Sequence, residues 1–87
     1  MRVITERNLI GFELKKLKGK ETQVTVEEAS GAITTGKVIG YTKGGHKALN
    51  DAEPQKASVL IQVIDQEGRE PGDYKILIED IEEVIIP

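Results

Sequence analysis

The spacing of apolar residues changes along the chain, and near the N-terminus it is helical. Aliphatic side chains recur there at positions i, i+4 and i+7: Ile10, Leu14 and Leu17. This spacing lines one face of a helix. Thr5 has a side chain suited to capping the first turn, and Gly19 is the residue type that commonly follows a last turn. The pattern predicts a helix over about residues 5–18.

After Gly19 the apolar residues alternate with polar ones, which predicts β-strands. Val24 and Val26 share one face of the first strand, opposite Thr25. The tripeptide at 29–31, which ends in glycine, supplies a hairpin turn. Four further strands are predicted after it, at residues 32–41, 58–65, 74–78 and 82–86.

The longest of these strands contains two glycines, Gly36 and Gly40. A glycine inside a strand commonly marks a bulge or a sharp bend. The sequence therefore predicts a mainly β fold, with an N-terminal helix followed by a five-stranded, strongly bent antiparallel small barrel. The strands lie within residues 21–86, and a chain of 87 residues forms a single domain over 1–87.

The last predicted strand is apolar at three successive positions, Val84, Ile85 and Ile86. Such a strand is expected to be buried on both faces, and an exposed apolar edge invites pairing with another strand. We therefore expect a neighbouring subunit to cover this edge.

Charge is distributed unevenly along the chain, whose net charge is −3. Residues 1–20 carry six basic and two acidic side chains, whereas residues 57–87 carry two basic and eight acidic ones. An acidic chain is a poor nonspecific ligand for nucleic acid, because affinity there comes from neutralising phosphates. A basic face, if there is one, belongs to the N-terminal third.

The absence of cysteine excludes disulfides, thiolate zinc sites and cysteine nucleophiles. With one histidine and two serines, neither of them in a recognisable catalytic motif, we expect no enzymatic activity, no cofactor and no metal site. No apolar run approaches the roughly 18 residues of a membrane span, and the first residues turn polar too soon for a signal peptide. A cytoplasmic protein without a membrane partner is expected.

Several segments together resemble the Sm-like family. The helix leading into the first strand is similar, residues 31–41 are similar to the first Sm motif, and residues 75–78 and 81–86 are similar to the two strands of the second motif. The resemblance implies a cyclic homo-oligomer in which the fourth strand of one subunit pairs with the fifth strand of the next. It also implies contact with RNA.

The positions that contact RNA in the family differ here. Thr42 stands where the first motif has an acidic residue, and Gly45-His46 replaces an apolar residue followed by Asn. Glu79-Asp80 replaces the Arg-Gly of the second motif. Two functions therefore remain open: an RNA-binding ring, and a structural or protein-interaction barrel without nucleic-acid binding.

The residues expected to carry either function form two sets. Glycines that expose backbone N–H groups, with lysines and a histidine beside them, suit an RNA-binding loop, although a solvated loop has the same composition. The RNA-binding candidates are Lys43, Gly45, His46 and Lys47. The expected oligomer interface consists of Tyr74, Ile76, Ile78, Val84, Ile85 and Ile86.

Overall fold

A computed structural model describes residues 1–45 and 55–87. Over these residues the chain forms six strands, one α-helix and one 3₁₀ turn. In chain order they are β1 (Arg2–Ile4), α1 (Arg7–Lys16), β2 (Gln23–Glu28), β3 (Ile33–Thr42), β4 (Ser58–Val63), β5 (Gly72–Leu77), the 3₁₀ turn (Ile78–Asp80) and β6 (Ile81–Ile86). The mainly β class and the N-terminal helix are confirmed.

The described strands form one antiparallel sheet in the order β1-β6-β2-β3-β4-β5. The sheet is open and has six described strands, so the prediction of a five-stranded small barrel is wrong. The strand β1 was not predicted; its three residues pair with β6 from Arg2 opposite Ile86 to Ile4 opposite Val84. Closure of the sheet would require its two edge strands, β1 and β5, to pair with each other, which they do not.

The irregularity predicted at the glycines of the longest strand is present as a bulge. The register of β3 against β4 shifts between Val38 and Gly40, as at a β-bulge. Gly36 lies against β4 so closely that a methyl group on its Cα would overlap the backbone carbonyl of Gln62. Glycine is required there because the obstacle is backbone, which cannot rotate away as a side chain can.

The helix is shorter than predicted at both ends. Its N-cap residue is Glu6, without a side-chain capping bond, so the prediction of Thr5 as the cap is wrong. Residues 2–4 are drawn into the sheet, and only Thr5 and Glu6 remain to connect β1 to the helix. The helix ends at Lys16, and Gly19 takes a positive φ of 81° shortly afterwards.

A single apolar core lies between the helix and one face of the sheet. Ile10 and Leu14 bring the helix to it, and each is almost completely buried. The sheet residues of the core are all aliphatic: Ile4, Val24, Val26, Val38, Val59, Ile61, Val63, Ile76, Ile81, Val84 and Ile86. No helix in the described part of the chain is long and apolar enough to cross a membrane.

Candidate nucleic-acid interface

A shallow groove lies where two distant segments meet, the chain just after β3 and the turn that follows β5. It has a volume of about 330 Å³. Gly44 and Gly45 form one side, and Ile78 and Glu79 form the other. The remaining lining residues come from the helix N-terminus and from the chain that leads into β4: Arg7, Gln55, Lys56 and Ala57.

Backbone hydrogen bonds hold the two sides of the groove in place. The N–H of Gly45 donates to the carbonyl of Gln55 at 3.0 Å, and the N–H of Ile78 donates to the carbonyl of Ala57 at 3.0 Å. A Cβ on Gly44 would lie 2.8 Å from the backbone nitrogen of Ala57, so a side chain at position 44 would push the segment after β3 away from the segment before β4. Gly45 has a φ of 124°, which L side chains rarely adopt.

The charged groups of the groove are two cations and one anion. The ammonium of Lys56 lies 2.8 Å from the Glu79 carboxylate. The guanidinium of Arg7 donates a longer bond of 3.4 Å to the backbone carbonyl of Glu79. A guanidinium has five N–H donors, so this one exposed bond leaves Arg7 most of its capacity to bind an anion. The lining has a formal charge of +1.

The structure brings only part of the predicted RNA-binding set to this groove. Gly45 lines it, and Lys43 is exposed immediately beside it at the end of β3. His46 and Lys47 lie outside the described residues. Arg7 was not among the predicted residues, because it is far from the loop in the chain and no motif spacing connects the two.

The predicted interface residues divide by burial. Ile76, Val84 and Ile86 are buried in the core of the same chain, whereas Tyr74, Ile78 and Ile85 are half-buried. β6 lies between β1 and β2, so the expectation that another subunit must cover its edge is corrected. β1 of the same chain covers it.

The groove suits a flat group that carries a negative charge nearby. Ile78 and Ala57 offer apolar surface, the two glycines leave space above it, and Arg7 supplies a cation at the rim. Within residues 1–45 and 55–87, no group of three His, Asp or Glu side chains could hold a metal ion.

Comparisons of the chain with protein-family models, with curated proteins and with solved structures found no match.

Proposed function

We propose that this protein is a non-enzymatic, Sm-like, self-associating module of the cytoplasm that binds single-stranded RNA in the groove beside Arg7. One observation carries the proposal. The groove joins residues 44–45 to residues 78–79. The first segment lies shortly after the stretch that resembles the first Sm motif, and the second lies at the junction of the two strands that resemble the second motif.

The order of the elements supports the resemblance. A helix precedes five strands, β2 to β6, and the second of these five has a bulge beside Gly40. The additional strand β1 is a departure, because it covers the edge of the last strand that the family uses for ring formation. An assembly of this chain therefore has to use other edges.

The chemistry of the groove suits an unstacked base with its phosphate. Single-stranded RNA is recognised largely by stacking of splayed bases on side-chain planes and by cationic contacts to the backbone. A base would lie over Ile78 and Ala57, with Arg7 stacking on it or bonding to a phosphate. Glu79 is held by Lys56, so its charge is partly compensated and repels the phosphate less.

The test compares two variants that each remove one positive charge. Arg7→Ala removes a cation of the groove, and Lys20→Ala removes an exposed cation beyond the opposite end of the helix. Each phosphate contact to a single strand contributes about 0.7 to the slope of log K against log salt concentration. We expect Arg7→Ala to weaken binding of uridine- and adenine-rich RNA 10-mers and to reduce that slope by about 0.7. Lys20→Ala should leave the slope unchanged.

Two results would contradict RNA binding in the groove. The first is the absence of binding by wild type at low salt. The second is an equal loss in the two variants, which would mean that the RNA contacts the protein through diffuse charge. Circular dichroism of both variants checks that the fold is retained.

The sheet edges offer a route to the cyclic self-association in this proposal. The hydrogen bond from the Ile78 N–H to the Ala57 carbonyl determines which residues of β5 direct their N–H groups toward β4. Because hydrogen-bonded pairs alternate along antiparallel strands, the N–H groups of Asp73, Lys75 and Leu77 point away from β4. No described strand pairs with that side of β5. We propose that it pairs with the outer edge of β1 in a neighbouring copy, a heterologous contact that closes into a ring.

A second candidate function, a protein-interaction module without RNA binding, is favoured by exposed apolar side chains. Val3, Leu9 and Phe12 are 51%, 41% and 58% exposed, and clustered apolar exposure commonly marks an interaction site. This candidate predicts self-association with no affinity for either RNA 10-mer at low salt.

A further inference from the structure

The outward face of α1 combines apolar and basic side chains. Ile10 and Leu14 face the core, so Leu9, Phe12 and Lys15 lie on the solvent side. The ammonium of Lys16 lies 4.9 Å from the centroid of the Phe12 ring, a cation–π contact that holds positive charge directly beside this apolar surface. We call Leu9, Phe12, Lys15 and Lys16 the helix patch.

The face of the sheet turned away from the helix combines apolar and acidic side chains. Val26 and Val84 point into the core. Successive residues of a strand point to opposite faces, so Glu27, which follows Val26, and Glu83, which precedes Val84, point outward. These two glutamates are direct cross-strand partners. Ile33, which is 47% exposed, is the partner of Glu27 on its other side. We call Glu27, Ile33 and Glu83 the sheet patch.

Two carboxylates directly opposite each other on one face of a sheet repel, which destabilises the pairing. A cation placed between Glu27 and Glu83 would offset that repulsion. Neither glutamate has an ion pair among the contacts of the described residues. The helix patch has the cations and the apolar surface that complement this arrangement, but it lies on the opposite side of the sheet and cannot reach it within one chain.

We propose that the helix patch of one copy docks onto the sheet patch of a second copy. Phe12 packs against Ile33, and Lys15 lies near Glu27 and Glu83. The partner is therefore a second copy of this chain, and charge complementarity is the basis for that choice. The contact is heterologous, because each copy uses a different surface. It goes beyond the proposed function, since it requires neither the groove nor either sheet edge.

The test uses two variants that each disable one half of the contact. Phe12→Ala with Lys15→Glu disables the helix patch, and Glu27→Lys with Glu83→Lys disables the sheet patch. We avoid Lys16 because its ammonium lies 3.5 Å from Glu13. Charge-matched controls away from both patches are Lys43→Glu for the first variant and Glu67→Lys with Glu70→Lys for the second, all at exposed positions.

Sedimentation velocity over a range of concentrations, without RNA, gives the readout. Wild type should self-associate less strongly as salt increases. Each double variant should associate at least about tenfold more weakly, a loss of about 1.4 kcal/mol, whereas the controls should behave as wild type. An equimolar mixture of the two double variants should form a mixed complex, because one copy keeps an intact helix patch and the other an intact sheet patch.

Three results would overturn the proposal: a wild type that stays monomeric at several hundred micromolar, controls that associate as weakly as the double variants, or a mixture that associates no better than its components. Phe12→Ala alone, a change at an exposed side chain, provides a second measure of the helix patch if the double variants fold poorly. Because no RNA is present, failure here is distinct from failure of the RNA-binding groove.

Discussion

The guanidinium of Arg2 lies 2.8 Å from the Glu13 carboxylate, and this ion pair joins β1 to α1. The side chain of Glu13 is largely buried, and the ammonium of Lys16 approaches its second oxygen at 3.5 Å. The hydrogen bond from Arg2 is the main reason that the pKa of Glu13 is lowered from its ordinary value of 4.5. Attachment of the short first strand therefore depends on an ionised side chain.

Protonation of Glu13 should loosen β1. The pKa of Glu13 is lower in the folded chain than in the unfolded chain. The ion pair with Arg2 therefore contributes fully to the free energy of unfolding at pH values above the ordinary pKa of 4.5, and this contribution is lost as the pH falls through the lowered pKa of the folded chain. We expect Glu13→Gln to lower the urea midpoint at pH 7 and to speed amide hydrogen exchange at Ile4, which lies opposite Val84 in β6. The difference from wild type should shrink in acid. A difference that is independent of pH would contradict the assignment.

Gly36 should tolerate no side chain. Its Cα lies against the Gln62 carbonyl, so Gly36→Ala must distort the β3–β4 ladder. We expect a loss of about 1–3 kcal/mol in the free energy of unfolding, the usual cost of overpacking a well-packed site. Gly40→Ala is the comparison, because its Cβ would meet the Cβ of Leu60 at 3.3 Å, a tight contact without the overlap at Gly36. Chemical denaturation should show the smaller loss for Gly40→Ala.

The side-chain amide of Gln66 extends the sheet where β4 has ended. It accepts from the N–H of Thr35 at 2.8 Å and donates to the carbonyl of Ile33 at 2.8 Å. Gln66→Glu keeps the shape and the acceptor but removes the donor, so we expect a loss of about 1 kcal/mol in unfolding free energy. Glu67→Gln, an exposed neighbour, should have no measurable effect. Equal denaturation midpoints for wild type and Gln66→Glu would refute the role of this amide.

The bulge in β3 could be predicted from the sequence, whereas the edge strand β1 could not. Gly36 and Gly40 interrupt a run rich in β-branched residues, and glycine at such positions commonly marks a bulge, a bend or close packing. Residues 2–4 form β1, but three residues are too few to show alternation. The tertiary contacts that hold it, from Arg2 to Glu13 and from Ile4 to the core, leave no periodic signal.

The candidate groove was half predictable for a similar reason. Gly45 and Lys43 were predicted to bind RNA because glycines and lysines cluster there in the sequence. Arg7 comes from the start of the helix and meets Glu79 only through packing across a separation of 72 residues. The acidic turn at 79–80 argued against RNA, and its pairing with Lys56 became visible only in three dimensions.

The outward side of β5 should control ring formation. Lys75→Pro removes an N–H that points away from β4, so it should block pairing with another copy while leaving the β4–β5 bonds intact. Lys75→Ala keeps that N–H and serves as the control. Light scattering should show smaller species for Lys75→Pro only. Assemblies of equal mass in the two variants would exclude the β5 edge from the ring.

The most direct test of RNA binding in the groove is an NMR titration of isotope-labelled wild type with a uridine-rich RNA 10-mer. The proposed function predicts progressive shifts of the backbone amides of Gly44, Gly45, Ile78 and Glu79, with the Arg7 side chain shifting in parallel. The same titration of Arg7→Ala should need more RNA to reach the same shifts. Absence of shifts at low salt, or shifts confined to Lys15, Lys18 and Lys20 at the other end of the helix, would contradict RNA binding in this groove.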